Sequence, residues 1–214
     1  MKTALIIGSS KGIGRAIKKN LQAKCEILNP SSKELDTSNI TLVKNYSSNL
    51  KPVDIIILNT GGPPAKDFFS VSEDEWLKYF NQLFLGFVVL LKNINIRKNG
   101  YIFLISSHTI KNPEDNLIIS NSIRSAFASV FKTLSNHYSK KNITTINIAP
   151  GPIKTKRLIN LVKNLEKFEK NLPLKKAADP NEIGKFIASI IDNNIKYING
   201  TTIVFDGGLS KSIY

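Results

Sequence analysis

The sequence predicts an α/β fold in which helices cover both faces of a doubly wound parallel sheet. Segments with strand and helix character alternate from one end of the chain to the other. The strand segments are continuous apolar runs, which is typical of strands buried on both faces of a parallel sheet. Because crossovers between parallel strands are right-handed, this order gives a doubly wound sheet. The 214 residues fit one domain over residues 1–214.

Six apolar runs are predicted to be the strands of this sheet. Each run stops at residues that favour turns: Gly after the first, Asn-Pro after the second, and Gly-Gly, Ser-Ser, Pro-Gly or Asp-Gly-Gly near the ends of the others. The predicted strands are Thr3–Ile7, Glu26–Leu28, Val53–Leu58, Tyr101–Ile105, Thr144–Ile148 and Thr201–Phe205.

Helical spacing of apolar residues and capping patterns predict the helices. Ser72 followed by Glu75 is a capping-box pattern, and Asp179-Pro180 favours a helix start. The polar region between Leu28 and Val53 is expected to lack a full crossover helix. The predicted helices are Ile13–Leu21, Glu73–Lys92, Ser120–Lys140, the basic stretch Thr155–Asn171, and Asn181–Ile191.

The chain is strongly basic, with 30 Lys and Arg against 16 Asp and Glu and a net charge of +14. Such an excess is compatible with nucleic acid, an anionic substrate or an acidic partner protein. The lysines are spread along a chain that is also rich in Asn and Ile, which favours compositional bias. We therefore expect no nucleic-acid binding. We expect no membrane binding either, because the longest apolar run, Leu83–Leu91, is far shorter than the ~20 residues that cross a bilayer.

Cys25 is the only cysteine, so no intramolecular disulfide can form, which fits a cytoplasmic protein. The N-terminal apolar run leads into a glycine loop with no small-residue cleavage site, so it predicts a strand and not a signal peptide. No metal site is expected.

A glycine-rich loop, Gly8-Ser-Ser-Lys-Gly-Ile-Gly14, separates the first predicted strand from the first predicted helix. Glycines at such a turn let the backbone approach a diphosphate, whose charge is stabilised at the helix N-terminus. The position of the loop at the start of a β-α unit predicts a dinucleotide site.

Five motifs in order resemble those of the short-chain dehydrogenase/reductase family over nearly the whole chain. They are the loop GSSKGIG, Asn59-Thr60-Gly61-Gly62, Ser106-Ser107, Pro150-Gly151-Pro-Ile153-Lys-Thr155, and the C-terminal GTTIVFDGG. The resemblance implies a single-domain Rossmann fold and an NAD(P)-dependent oxidoreductase acting on CH–OH or C=O groups, similar to 3-oxoacyl-carrier-protein reductases. It also implies a homodimer or homotetramer, for which the small residues along Ser120–Lys140 would suit helix packing.

The resemblance assigns cofactor contacts to Gly8, Ser10, Lys11, Gly12, Ile13, Gly14, Ser31, Ser32, Asp36, Asn59, Gly61, Arg124, Pro150, Gly151, Ile153 and Thr155. NADP(H) is favoured over NAD(H), because no acid follows the second strand until Glu34. A 2′-phosphate would instead find Lys11 and Lys33 with Ser31 or Ser32.

The family reduces carbonyls with Asn, Ser, Tyr and Lys, and three of these positions are changed. Ser107 matches the family serine. The tyrosine position, thirteen residues later, is Ser120, and the lysine position four residues after that is Arg124. Leu83 stands at the asparagine position, three residues before a glycine. We take Ser107, Ser120 and Arg124 as the candidate catalytic residues.

This pattern predicts an altered proton donor. A serine hydroxyl is a much weaker acid than a phenol, and arginine stays protonated, so Arg124 can act as a fixed donor but not as a proton carrier. His108, Glu114 and Asp115 are alternative acids, and a substrate that needs no protein acid is also compatible. The second hypothesis is a non-catalytic nucleotide-binding homologue that acts as a sensor or assembly partner. Non-redox chemistry in the same cleft has no support in the sequence.

Residues 154–176 occupy the place of the family's substrate lid. Besides Lys154, seven cations lie there: Lys156, Arg157, Lys163, Lys167, Lys170, Lys175 and Lys176. With Arg124 they favour a small-molecule substrate that is anionic or bound to an acidic carrier protein. A solvated basic helix, with Glu166 and Glu169 among its lysines, is the slightly favoured explanation.

Overall fold

The computed structural model describes residues 1–213 as one α/β domain built on a six-stranded parallel sheet. The strand order is β2-β1-β3-β4-β5-β6, and every neighbouring pair is parallel. The strands are β1 (Lys2–Ile6), β2 (Cys25–Leu28), β3 (Val53–Leu58), β4 (Ile96–Ile105), β5 (Thr144–Pro150) and β6 (Thr201–Phe205). The predicted doubly wound sheet is therefore confirmed.

Eight helices connect the strands in the described part of the chain. They are α1 (Gly12–Leu21), α2 (Ile40–Ser48), α3 (Glu73–Phe80), α4 (Gly86–Asn93), α5 (Ile118–Ser139), α6 (Lys156–Leu161), α7 (Leu165–Lys170) and α8 (Pro180–Asp192). None of the helices within residues 1–213 has the length and apolar character needed to span a membrane.

The core lies in two layers, one on each face of the sheet. On one face, α1 and α8 pack on inward-facing strand residues such as Ile6 and Ile57. On the other face, α2, α4 and α5 cover neighbouring strand residues such as Leu5 and Ile56. Successive strand residues point to opposite faces, so burial on both faces accounts for the continuous apolar runs in the sequence.

The predicted helix Glu73–Lys92 is interrupted by a π-helical turn at Asn81–Leu85 between α3 and α4. The amide of Gly86 donates to the carbonyl of Asn81, five residues earlier. A Cβ added at Gly86 would lie 2.2 Å from the Thr37 carbonyl oxygen, so this segment approaches the backbone near Thr37 closely. Tertiary packing of this kind is not visible in helical periodicity.

Two further expectations were wrong. The region between Leu28 and Val53 contains a crossover helix, α2, whose N-terminus is capped by the Asn39 side chain. Its buried face is supplied by Val43 and Ser47, a pattern too short to stand out in a polar segment. The basic stretch Thr155–Asn171 forms two short helices, α6 and α7, because the backbone is extended at Val162 and Asn164 caps the second helix.

Candidate functional site

The loops that follow β1, β3, β4 and β5 meet at the carboxyl edge of the sheet, where ligands bind in open α/β folds. Asn59, directly after β3, ties two of these loops together. Its Nδ2 donates to the carbonyl oxygens of Ile7 and Gly8, each at 3.2 Å. The structure therefore gives Asn59 a role in holding the glycine loop, beside the cofactor contact predicted for it.

The glycine loop is shaped so that a side chain would not fit at its turns. Gly8 and Gly12 have positive φ values of 65° and 55°. A Cβ at Gly14 would lie 2.2 Å from the Gly8 carbonyl oxygen, so the start of α1 packs directly on the end of β1. These are the close approaches that the glycine pattern predicts.

The N-terminus of α1 is open to an anion. No side chain caps it at Lys11, and its first turn contains no acidic residue. Ser10 and Lys11 are exposed, and Ile13 packs partly against the core below. Free amide groups at a helix N-terminus and the helix dipole both favour a phosphate group at this place. The residues present thus fit the diphosphate of a dinucleotide.

The segment after β5 lies against the glycine loop. A Cβ added at Gly12 would come within 3.3 Å of Thr155 Cγ2, so these two distant motifs are neighbours. Ile153 is buried, and Gly151 is in close contact with Asp206. The structure therefore brings the predicted residues Gly12, Ile153 and Thr155 to one crevice, although their cofactor contacts stay predictions.

The loop after β2 contains an arrangement that the sequence interpretation missed. The Ser31 amide and hydroxyl both donate to Glu34 Oε2, each at 2.8 Å, and these bonds lower the pKa of the Glu34 carboxyl. Asp36 Oδ1 accepts from the amide and hydroxyl of Ser38. Ser32 is exposed. Glu34, the first acid after β2, was expected to lie beyond the residues predicted to bind a 2′-phosphate. Its carboxylate instead accepts hydrogen bonds from one of those residues, Ser31.

Ser107 lies just past the end of β4, in extended backbone that leads into a short 3₁₀ turn at His108–Ile110. Its Oγ accepts from the Thr109 amide at 3.3 Å and from the Thr109 hydroxyl at 3.0 Å. Both bonds leave the Ser107 hydroxyl proton free to be donated to another acceptor, as orienting a carbonyl requires.

His108 is buried, and each of its ring nitrogens faces an acceptor oxygen. Nδ1 lies 3.2 Å from the Pro150 carbonyl oxygen, and Nε2 lies 3.0 Å from Glu114 Oε1. Burial works to lower the pKa of His108, but the Glu114 hydrogen bond and charge, the Pro150 carbonyl and Asp206 outweigh it and raise the pKa. The imidazole therefore joins the 111–117 loop to the end of β5. Asp115, the other candidate acid in this loop, is exposed.

Ser120 and Arg124 lie one turn apart on the inner face of α5, and both are buried. Arg124 Nη1 donates to the Ile105 carbonyl oxygen at 3.0 Å, two residues before Ser107. Burial, and secondarily the nearby charge of Arg157, lowers the pKa of Arg124 to about 10. The guanidinium therefore remains charged at neutral pH. The structure places Arg124 beside the end of β4, while its catalytic and cofactor roles stay predictions.

Leu83 belongs to a small apolar cluster with Ile119 and Ile123, which directly precede Ser120 and Arg124 in α5. Its side chain is 1% exposed. An apolar group of this kind cannot hold a water molecule in a proton relay.

Arg157 in α6 is the main site residue that the sequence interpretation did not single out. Its Nη1 donates to the Gly62 carbonyl oxygen and its Nη2 to that of Pro63, both at 2.8 Å. A Cβ at Gly62 would lie 2.8 Å from Arg157 Cζ, so the guanidinium rests directly on the loop after β3. Only its position among the lid cations marked Arg157 in the sequence, and that did not distinguish it from the lysines.

Those lysines are largely solvated. Within the lid, Lys170 pairs with Glu166 at 2.8 Å, and Lys154 lies 3.7 Å from Glu169. The Lys170–Glu166 pair is exposed on both sides, and such pairs contribute little. Arg157 therefore differs from its basic neighbours, because its guanidinium is fixed by two carbonyl oxygens.

Comparison with known proteins matches residues 31–210 to a family model described as Enoyl-(Acyl carrier protein) reductase. A 3-oxoacyl-[acyl-carrier-protein] reductase from Buchnera aphidicola is 27% identical over 97% of this chain and 97% of its own length. An NADPH-dependent reductase, BacG, from Bacillus subtilis is 24% identical over 99% of each chain.

Two solved structures show the same fold. A short chain dehydrogenase family protein from Francisella tularensis superposes with a TM-score of 0.89 at 21% identity, covering 99% of this chain and 100% of that one. A short chain dehydrogenase from Burkholderia cenocepacia, solved in complex with NADP, has a TM-score of 0.87 at 19% identity and 97% coverage of each chain. With the glycine loop and the crevice described above, the family model that matches residues 31–210 establishes that the chain belongs to the short-chain dehydrogenase/reductase family of oxidoreductases.

Proposed function

We propose that this protein is an NADP(H)-dependent oxidoreductase that interconverts a carbonyl and an alcohol without the family's tyrosine acid. The observation that supports this most is the crevice in which the uncapped N-terminus of α1 faces Thr155 across Gly12. That crevice fits a diphosphate, and Ser107 follows β4, the strand beside β5, at the same edge of the sheet.

NADP(H) is the proposed cofactor. Lys11 is exposed at the uncapped start of α1, where a cation would attract a 2′-phosphate. The relatives named above include an NADPH-dependent reductase and a structure with NADP. Glu34 opposes this preference, because its carboxylate lies on Ser31 and would repel a 2′-phosphate there.

The candidate catalytic residues have roles that differ from those of the family's four residues. Bound NADP(H) would supply or accept the hydride. Ser107 would orient the carbonyl with its hydroxyl proton, and Arg124 would stabilise negative charge that develops on the carbonyl oxygen. Arg124 keeps its proton at neutral pH because its pKa of about 10 is well above 7. Ser120 stands at the position of the family's tyrosine. Water, in place of that tyrosine, would donate the proton to the carbonyl oxygen.

The second candidate is a nucleotide-binding homologue without turnover. It is favoured by the apolar cluster around Leu83, which replaces the proton relay with buried hydrocarbon. Retention of Ser107 and of an ordered Arg124 favours the enzyme.

The two functions are separated by NADPH oxidation with a panel of ketones, aldehydes and oxo acids. An enzyme turns over at least one of them and loses about 100-fold or more in kcat/KM in Ser107→Ala and Arg124→Ala. A non-catalytic binder shows a thermal shift with NADPH but no turnover with any of them. Gain of ordinary ketone reduction in the double variant Ser120→Tyr with Arg124→Lys would support the assignment of these two positions.

We also propose a homodimer, located in the cytoplasm. An apolar face on α3 and α5 is formed by Trp76, Leu77, Phe80, Ile123 and Ala126, around a hollow of about 370 Å³. Leu77 is 63% exposed and Phe80 41%. Exposed apolar surface of this extent favours a protein interface, and a second copy would present the same face across a two-fold axis. Cys25 is a free thiol, in keeping with a reducing compartment.

A further inference from the structure

Arg124 has a buried charge and no counter-charge. It is 8% exposed, and its one hydrogen bond within residues 1–213 goes to a neutral carbonyl, that of Ile105. Among the ion pairs of the described residues, none includes Arg124. Buried charges in proteins are normally paired, because an isolated one loses its hydration without compensation. A missing anion is therefore the simplest partner for this guanidinium.

Arg124 has donors that the described residues leave unused, and these donors are not fully buried. Nε and Nη2 have no hydrogen-bond partner within the described chain, yet neither is among its fully buried unpaired atoms. These nitrogens therefore reach open space, and the end of β4 with Ser107 lies beside them.

Arg157 is an exposed residue whose guanidinium lies near Arg124 at the carboxyl edge of the sheet. It extends from α6, which follows β5, to Gly62 and Pro63, which follow β3. Because β4 lies between β3 and β5 in the sheet, the Arg157 side chain spans the carboxyl end of β4. Arg157 likewise forms no ion pair within residues 1–213, and its charge contributes to the lowered pKa of Arg124. The positive charges of the two guanidiniums therefore repel each other. Both lie near the residues that would hold the reacting carbonyl.

We propose that Arg124 and Arg157 together bind a carboxylate of the substrate, next to the carbonyl that Ser107 orients. The substrate class is then a short oxo acid or the matching hydroxy acid. A planar carboxylate matches the fork of a guanidinium and would relieve the repulsion between the two cations. The diphosphate of the cofactor is expected at the glycine loop instead, at the N-terminus of α1.

This inference rests on the proposed function but is tested by binding. The melting temperature is measured with and without NADPH, in titrations with pyruvate and acetoacetate and with their neutral methyl esters. The variants are Arg157→Gln and, as a matched control, Arg97→Gln. Arg97 pairs with Asp54 at 2.9 Å near the opposite edge of the sheet, away from the crevice.

We expect the acids to stabilise the protein and the esters not to. Arg157→Gln should raise the concentration of acid needed for half the shift by about tenfold or more, since a charge-assisted pair is lost. Arg97→Gln should bind as the unmodified protein does, and the affinity for NADPH should be unchanged in both variants.

Equal effects of acids and esters, no effect of either, or full retention of acid binding in Arg157→Gln would each overturn the carboxylate site. Loss of NADPH binding in Arg157→Gln would assign Arg157 to the cofactor and would also overturn it. The oxidoreductase proposal fails separately, if acids bind through Arg157 but no carbonyl is ever reduced. Reduction of neutral ketones without binding of the acids would contradict the carboxylate site but not the oxidoreductase proposal.

Discussion

His108 has an acceptor oxygen at each ring nitrogen, the Pro150 carbonyl at Nδ1 and the Glu114 carboxylate at Nε2. A neutral imidazole can donate from only one nitrogen, so only the imidazolium satisfies both bonds. The Glu114 main chain also accepts from Asn121 Nδ2 at 2.7 Å, next to Ser120. Protonated His108 therefore holds the loop that leads into the N-terminal end of α5, where the candidate residues Ser120 and Arg124 lie, and we propose it as a positioning residue.

The His108 interaction should make stability depend on pH. Its pKa is raised in the folded state, so its contribution is fully present below the unfolded value near 6.5 and is lost as the pH rises through the folded value. We expect His108→Gln to cost about 1–3 kcal/mol at pH 5.5 and clearly less at pH 8.5. Denaturant unfolding at the two pH values measures this.

Glu114→Gln serves as the companion variant, since it removes the main interaction that raises the pKa while Asp206 remains. In the Glu114→Gln protein, the stability cost of His108→Gln should depend less on pH. A His108→Gln cost that is the same at both pH values would show that the imidazole is neutral in the folded protein.

At the scale of the element, the proposed preference between the two nicotinamide cofactors depends on the loop after β2. Glu34 accepts two bonds from Ser31 and is exposed. A carboxylate accepts from a ribose 2′-hydroxyl but repels a 2′-phosphate, so Glu34 moderates any preference for NADP(H).

Glu34→Gln should therefore raise the affinity for NADPH relative to NADH several-fold, because one negative charge is removed beside Ser31. Calorimetric titration of both cofactors measures the ratio. Glu26→Gln, an exposed change on β2 outside this loop, is the control and should leave the ratio as it is. An unchanged ratio of NADPH to NADH affinity in Glu34→Gln would show that the ribose 2′ group binds away from Ser31.

The elements differ in how far the sequence predicts them. Strands such as Val53–Leu58 and Thr201–Phe205 were predicted with their observed bounds, because burial on both faces leaves a continuous apolar run. The Ser31–Glu34 contact is local, and its spacing of three residues could have indicated it. The π-helical turn could not be predicted, since it depends on the approach of Gly86 to Thr37.

The site was predictable where a motif is contiguous and not where it depends on distant contacts. The glycine loop and Arg124 could be located from spacing alone. Arg157 meets Gly62 across 95 residues of sequence, and no local pattern distinguishes it from the lysines around it. The acceptors on both sides of His108 come from two different loops, so its burial was equally invisible.

At the scale of the whole molecule, the apolar face on α3 and α5 predicts self-association. Leu77→Glu should convert the protein to a monomer, because an exposed charge would be buried in the interface, while the exposed position leaves the fold intact. Analytical ultracentrifugation measures the mass. Leu174→Glu, at a position that is 60% exposed, is the matched control and should not change it. A dimer that persists in Leu77→Glu would place the interface on another face.

The central claim is that a dinucleotide lies across the carboxyl edge of the sheet with its diphosphate at the start of α1. Calorimetric titration of NADPH into the protein and into Ser10→Asp tests it most directly, with Ser48→Asp as a control at the opposite edge; both positions are exposed. We predict one site per chain, a loss of about tenfold or more in Ser10→Asp through charge repulsion, and no change in Ser48→Asp. Equal binding by Ser10→Asp, or no binding by the unmodified protein, would contradict the account.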